Sequence, residues 1–153
     1  MKPLSLLIAG LISMILLSCG PGLDIPMDQP MEEPPAPIQT DKEVLSFTSA
    51  GGSQSMTMTN YESWWIVDGY ERALWMGDHY EWFGVVYPSS SIPDADLCDR
   101  LDGGWYSATV PNGGFSNQIS VTVKENTSGE VRQATIDMRA GEAYGTVSVW
   151  QDK

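Results

Sequence analysis

The sequence predicts an all-β domain, built as a sandwich of two sheets with about seven antiparallel strands. From residue 42 onward, apolar and polar residues alternate with period two in short runs. Turns rich in glycine, asparagine and serine separate these runs. No stretch of this region has the spacing of an amphipathic helix. One apolar and one polar face per strand suits two sheets that pack face to face.

The predicted strands follow one another along the chain. They are the runs 43–48, 53–59, 63–67, 80–87, 118–124, 131–138 and 144–151. Within 118–124, for example, Ile119, Val121 and Val123 alternate with polar residues. Residues 88–114 interrupt the pattern with prolines, glycines and aspartates. They predict a long loop, which contains either a helical turn near 95–101 or a short strand at 105–110.

Residues 1–18 have the pattern of a secretory signal peptide. Lys2 supplies the positive charge, and the apolar run 4–17 is shorter than the about 20 residues that cross a bilayer. The end of this run, Leu-Leu-Ser-Cys, resembles the lipobox of bacterial lipoproteins. That resemblance implies cleavage before Cys19 and a lipid anchor on its sulfur. Because Gly20, and no aspartate, follows Cys19, we predict an outer-membrane lipoprotein that faces either the periplasm or the exterior.

Residues 19–41 predict a tether between this anchor and the sandwich domain, which we place at 42–153. Prolines and acidic residues dominate the tether. Proline favours extended chain, and like charges repel one another, so the segment is expected to be stiff and extended. At about 3.1 Å per residue it reaches about 60 Å from the membrane.

The charge of the chain excludes some partners. It has 20 acidic and 8 basic residues, and its formal net charge is −12 at pH 7. Phosphate backbones and anionic lipid surfaces repel such a chain. We therefore predict no nucleic-acid partner, and membrane attachment only through the lipid on Cys19.

The sequence predicts no enzyme, no cofactor and no metal site. His79 is the one histidine, whereas metal sites commonly use three or four ligands. An aspartate cluster in the segment 88–114 suggests a calcium loop by composition, although the Asp-x-Asp-x-Asp-Gly spacing is missing. The cluster consists of Asp94, Asp96, Asp99 and Asp102. No nucleophile elbow and no phosphate-binding glycine loop is present in the sequence.

Aromatic residues are the most informative feature of the predicted domain. The chain has 6 tryptophans and 6 tyrosines, more than one small core needs. Sugar rings stack their apolar C–H faces on exposed aromatic rings, while nearby acids bind the hydroxyl groups. Four aromatic residues lie in irregular segments close to acidic residues, and we predict that they contact a glycan. They are Tyr70, Trp75, Trp105 and Tyr106.

The sequence leaves two alternatives to glycan contact open. Aromatic residues in loops can fold back over the ends of the sandwich, because large apolar side chains are usually mostly buried. An exposed aromatic patch can also dock a protein partner in an envelope complex. A ridge of rings spaced like sugars favours glycan binding, and a flat apolar patch with a polar rim favours a protein partner.

Several segments resemble the BACON domain family. The run 45–54 is similar to the opening of that domain, 119–132 to its alternating strand and Asn-Thr-Ser-Gly turn, and 147–151 to its closing strand, which ends in glutamine. Trp82 corresponds to the tryptophan in the middle of the family's domain. The resemblance covers about 43–153. It implies an immunoglobulin-like sandwich that binds carbohydrate and occurs together with glycan-degrading enzymes. A spacer or structural role is the alternative.

Overall fold

The structure is a computed structural model that describes residues 33–92 and 97–153. The predicted signal peptide, Cys19 and most of the predicted tether lie outside these ranges, as do Asp94 and Asp96. The described chain forms a compact unit, Pro34–Lys153. Within the described ranges, no helix has the length and apolar character needed to cross a membrane.

The described residues form ten strands and one short 3-10 turn at Pro111–Gly114. The strands are β1 (Val44–Phe47), β2 (Gly52–Thr57), β3 (Trp65–Tyr70), β4 (Arg72–Trp75), β5 (Tyr80–Phe83), β6 (Arg100–Asp102), β7 (Tyr106–Thr109), β8 (Gln118–Val123), β9 (Arg132–Ala140) and β10 (Ala143–Gln151).

Eight of these strands form two four-stranded sheets. The first sheet has the order β1-β10-β9-β3, and the second has the order β2-β8-β7-β6. Strands β4 and β5 form a separate hairpin. All pairs are antiparallel except β1 and β10, which run parallel. The predicted class, an all-β immunoglobulin-like sandwich, is confirmed.

The core lies between the two sheets and is filled by alternate side chains of their strands. In β9, Ala134, Ile136 and Met138 are buried while the residues between them are half-buried. Of the adjacent tryptophans, Trp64 is fully buried and Trp65 is half-buried. The period-two alternation therefore marked the inner faces correctly.

The segment 88–114 contains more structure than the sequence indicated. The predicted short strand at 105–110 is confirmed as β7, which lies inside the second sheet between β8 and β6. The alternative helical turn near 95–101 is wrong for its described part, because Arg100–Asp102 forms β6. Leu101 is buried in the core, and this burial favours the extended conformation over a helical turn.

The domain begins earlier than the predicted boundary at residue 42. The Tyr61 hydroxyl donates to the Ala36 carbonyl at 2.5 Å, and the Asn60 amide donates to the Pro37 carbonyl at 2.8 Å. Ile38 is partly buried against the core, and the backbone of Gln39 donates to Asn60. Residues 36–41, predicted as tether, are thus held to the sandwich.

The motifs that resemble the BACON family have structural roles. The buried amide of Gln151 donates to the carbonyls of Thr48, Ser49 and Lys124 at 3.3, 3.3 and 2.8 Å. Gln151 therefore joins the β1–β2 turn to the end of β8. In the Asn-Thr-Ser-Gly turn, Asn126 is buried and donates to two carbonyl groups of neighbouring segments.

Candidate functional site

A β-bulge in β3 creates the acidic part of the candidate site. Ile66 pairs with Met138, but the next paired residue of β3 is Asp68, opposite Asp137, so Val67 is an extra residue. A bulge of this kind reverses which face the following side chains occupy. Asp68 and Tyr70 consequently share the outer face of the first sheet with Asp137. In a strand that alternated regularly from Ile66, Asp68 would point into the core.

The Asp68–Asp137 pair places two carboxyl groups directly opposite each other on neighbouring strands. Asp68 Oδ1 is buried and has no hydrogen-bond partner among the described residues. The Tyr70 hydroxyl lies 3.5 Å from Asp137 Oδ1. Burial raises the pKa of Asp68. Burial, and then the negative charge of Asp68, raise the pKa of Asp137. Burial, and then the charge of Asp137, raise the pKa of Tyr70 to about 12.

Aromatic side chains form a wall beside these carboxyl groups. The Trp82 ring packs edge-to-face on Tyr70 with centroids 4.4 Å apart, and the Tyr80 ring lies 5.8 Å from Trp82. Trp82 remains 45% exposed and Tyr87 is 82% exposed. Both backbone groups of Val86 bond to Gly69, so the segment 85–87 runs along the edge of β3. Tyr87 is thereby held beside the carboxyl pair.

Three adjoining depressions form one groove, which we call the outer groove. Its acidic end has a volume of about 220 Å³ and is lined by Asp68, Tyr70, Trp82, Val85, Tyr87 and Asp137. The middle depression, of about 330 Å³, shares Tyr70 with the acidic end and crosses β9 and β10 to Trp150. The third depression, of about 480 Å³, shares Glu71, Arg72 and Gln133 with the middle one.

This third depression is the basic end of the outer groove. The Arg72 guanidinium lies over the Phe83 ring at 4.6 Å, and the Arg132 guanidinium lies over the Trp105 ring at 5.7 Å. The indole N–H of Trp105 donates to Glu71 Oε1 at 2.8 Å. This bond fixes the ring against which Arg132 is placed. The groove therefore has carboxyl groups at one end and guanidinium groups at the other.

The structure brings two of the four predicted contact residues into the outer groove. Tyr70 lines the acidic end and Trp105 lines the basic end. The prediction for Tyr106 is wrong, because β7 turns this side chain into the core and leaves it 1% exposed. Trp75 pairs with Tyr80 in the β4–β5 hairpin, but its side chain lies outside the described part of the structure.

The sequence reasoning missed several residues of the groove. Trp82 and Tyr87 were assigned to a single continuous strand, and Gly84 separates them into a hairpin strand and an edge segment. In the sequence, Asp137 is simply one of the polar residues that alternate with apolar residues along β9, so nothing marked it as part of a site. Only the adjacency of Trp82 and Phe83, which face opposite sides of a strand, indicated an exposed ring at this place.

The described residues contain no group of three or more metal-ligating side chains. Asp99, one of the aspartates that suggested a calcium loop, is buried and accepts hydrogen bonds from the backbone and hydroxyl of Ser91. Asp102 accepts from the Gly104 amide at 3.0 Å. These two carboxylates fix the conformation of their own loops. His79 is exposed and bonds to its neighbour Asp78 at 2.5 Å.

The opposed carboxyl groups of Asp68 and Asp137 are expected to make the stability of the domain depend on pH. The pKa of Asp137 is raised in the folded state, so the folded protein holds the proton more tightly than the unfolded chain does. The free energy of unfolding therefore falls as the pH rises from about 3.8 through the folded pKa. Asp137→Asn removes the repulsion and is expected to stabilise the protein at pH 7 by a few tenths to about 1 kcal/mol. The gain should shrink towards pH 4 in urea unfolding.

Glu43→Gln is the matched control, because it removes one charge from an exposed position directly before β1, at the opposite edge of the same sheet. A gain of the same size in Glu43→Gln would mean that Asp137→Asn acts through the net charge of the chain. That result would contradict a local repulsion between Asp68 and Asp137.

The fold places the chain in the class of immunoglobulin-like β-sandwich domains. The family model of the BACON domain, described as "Putative binding domain, N-terminal", matches residues 89–152. The predicted resemblance to the BACON family is therefore confirmed over residues 89–152. The match begins in the segment 88–114 and ends with the strand that carries Gln151.

A solved structure supports the same fold. The chain is similar to a protein from Bacteroides thetaiotaomicron solved by NMR, with a TM-score of 0.53 and 21% identity over 79% of this chain and 91% of that one. It also matches a GH5 xyloglucanase from Bacteroides ovatus, solved with a heptasaccharide, at a TM-score of 0.43 and 18% identity. That match covers 75% of this chain and 18% of the xyloglucanase. None of the curated proteins matches the chain in sequence.

Proposed function

We propose that the chain is a lipid-anchored, non-catalytic module of the outer membrane that binds carbohydrate in the outer groove. One observation carries the proposal. At the acidic end of the groove, the exposed rings of Trp82 and Tyr87 stand beside the carboxyl groups of Asp68 and Asp137. Flat apolar surface next to hydrogen-bond acceptors is the combination that a sugar ring requires.

The shape of the groove supports an extended ligand. Its three depressions share lining residues and lead from Tyr87, over the outer face of the first sheet, to Trp105, which directly precedes β7 of the second sheet. Rings occur along the whole length, with Tyr70 and Trp150 in the middle depression. A polysaccharide has the length and the repeated apolar faces to contact several of these rings, whereas a small ligand would occupy one depression.

The position of the carboxyl groups favours binding over hydrolysis. Glycoside hydrolases commonly need two carboxyl groups that both reach the scissile bond. Asp68 Oδ1 is buried, and Asp137 lies beside the Tyr70 hydroxyl. With one oxygen of Asp68 buried, the pair does not present two fully accessible carboxyl groups to a scissile bond. We therefore assign the hydrogen bonds to sugar hydroxyl groups mainly to Asp137.

The proposal also assigns the chain to the outer membrane. The signal-peptide pattern of residues 1–18, the lipobox ending in Cys19 and the following Gly20 support this location. The acidic surface supports attachment through lipid chains, because it is repelled by anionic membranes. Both orientations of the domain, towards the periplasm and towards the exterior, are compatible with this proposal.

Calorimetric titration tests the proposed function. The protein is residues 19–153 with Cys19→Ser, which retains the whole compact unit Pro34–Lys153. It is titrated with a panel of neutral and acidic plant and host polysaccharides. Trp82→Ala is expected to weaken binding at least about tenfold, because it removes the most accessible indole of the groove. Calorimetry is preferred to fluorescence, since the variant itself removes a fluorophore.

Phe115→Ala is the control, since Phe115 is an exposed aromatic residue that does not line the outer groove. It should bind as the parent protein does. Saturable binding to no member of the panel would reject the carbohydrate proposal. It would favour the alternative, a module that docks on a protein of the envelope through the same exposed rings.

A further inference from the structure

The basic end of the outer groove has two arginines whose guanidinium groups form no ion pair or hydrogen bond with residues 33–92 and 97–153. Among the described residues, neither Arg72 nor Arg132 has a carboxylate within ion-pair distance or donates a side-chain hydrogen bond. Each is placed over an aromatic ring, at 4.6 Å for Arg72 on Phe83 and 5.7 Å for Arg132 on Trp105. Stacking on a ring uses the face of a guanidinium and leaves its N–H groups free to donate.

Arg139 shows how an arginine elsewhere on the domain is satisfied when it has a structural role. It lies over the Tyr144 ring, donates to the Gly141 carbonyl at 2.7 Å and pairs with Glu142 at 3.8 Å. Arg132 is on the same strand, β9, and has only the ring contact. In a chain with 20 acidic and 8 basic residues, two unpaired arginines that line one depression are unexpected.

The charge at the basic end favours an anion. Glu71 also lines this depression, but its Oε1 atom accepts the Trp105 indole N–H. The two guanidinium groups exceed this single carboxylate by one positive charge. The Gln133 amide adds a further polar group to the lining. Arginine is the side chain that best matches a carboxylate or another planar anion, because its donors form a fixed fork.

We infer that the basic end binds the anionic group of an acidic sugar, so that the preferred ligand is an acidic polysaccharide. This inference rests on the proposed carbohydrate binding and adds the class of glycan. A carboxylate or sulfate on one sugar unit is bound by Arg72 and Arg132. Neighbouring units of the same chain lie along the groove against Tyr70 and Trp82. Repulsion by the acidic surface elsewhere makes this end the place where an anion is favoured.

The test compares acidic and neutral forms of one backbone. Polygalacturonate is titrated against its fully methyl-esterified form, and dextran sulfate against dextran, with the same protein, residues 19–153 carrying Cys19→Ser. The first pair reports a carboxylate and the second a sulfate. In at least one pair the anionic form is expected to bind about tenfold or more tightly, as for a hydrogen bond to a charged group.

Arginine variants then locate the preference. Arg72→Gln and Arg132→Gln are each expected to reduce the preference for the anionic form about tenfold, because each removes one guanidinium donor. Arg139→Gln, on the same strand as Arg132 but outside the lining of the basic end, should keep the preference. Circular dichroism checks that each variant is folded.

The outcomes separate the inference from the proposed function. Equal binding of both forms in both pairs, lost in Trp82→Ala, would overturn the acidic-sugar inference and leave carbohydrate binding in place. A preference that survives in the double variant Arg72→Gln, Arg132→Gln would overturn it too. Binding to no polysaccharide would reject both proposals.

Discussion

Replacing Gly51 with alanine is expected to destabilise the domain by about 3–5 kcal/mol. Gly51 has a φ of +74°, which costs a residue with a Cβ atom about 1–2 kcal/mol. An added Cβ would also lie 2.2 Å from the Val123 carbonyl oxygen and 2.9 Å from the carbonyl carbon of Lys124. Both atoms belong to the backbone at the end of β8, so neither can move without disturbing the second sheet.

The position of Gly51 explains why this contact is so close. The chain passes here from β1 in the first sheet to β2 in the second. The Gly51 amide donates to the Thr48 carbonyl at 3.0 Å and closes the turn.

Gly141→Ala is the control, because Gly141 has a φ of +59° and its added Cβ would meet nothing within 4 Å. Urea unfolding should show a loss of about 1–2 kcal/mol there. Equal losses in the two variants would contradict a steric role for Val123.

Serine in place of Cys19 is expected to abolish lipid attachment. Acyl chains on the Cys19 sulfur would each add about 0.8 kcal/mol of membrane affinity per buried CH₂ group, and two or more chains give a stable anchor. Serine has no thiol to accept the lipid. Cells given a labelled fatty acid should therefore incorporate label into the parent protein and none into Cys19→Ser. The variant should also keep residues 1–18, because lipid attachment precedes their removal.

The chain provides its own control for this experiment, since it has 2 cysteines. Cys98 is half-buried in the sandwich domain, and its carbonyl accepts the Ile66 amide at 2.8 Å. Cys98→Ser should retain the label. Label that persists in Cys19→Ser, or is lost in Cys98→Ser, would contradict a lipid anchor at Cys19.

The inner faces of the sandwich were predictable because alternation records burial directly. Adjacent tryptophans at 64 and 65 required that at most one point into the core, and the structure selects Trp64. Alternation could not foresee the extra residue Val67, because a bulge leaves no mark in a pattern of polar and apolar residues. The predicted strand 63–67 therefore ends at Val67, whereas β3 continues to Tyr70.

The candidate site was only partly predictable for a related reason. Tyr106 was predicted to contact a ligand because it lies in an irregular segment close to acidic residues. That segment contains β7, which begins at Tyr106 and directs its side chain into the core, whereas Trp105, directly before the strand, lines the groove. Asp137 joins the site through pairing with β3, which is distant in sequence. Pairing across such distances cannot be obtained from local pattern alone.

The strand order has a consequence for the timing of folding. The first strand, β1, pairs with the last, β10, and β2 and β3 pair with β8 and β9. Such distant pairing slows folding, because the chain loses the entropy of closing long loops before the paired strands stabilise it. The first sheet cannot be completed until the ribosome has released the residues up to Gln151. During synthesis the chain thus stays open, and the segment predicted to direct its export is made long before the domain can close around its core.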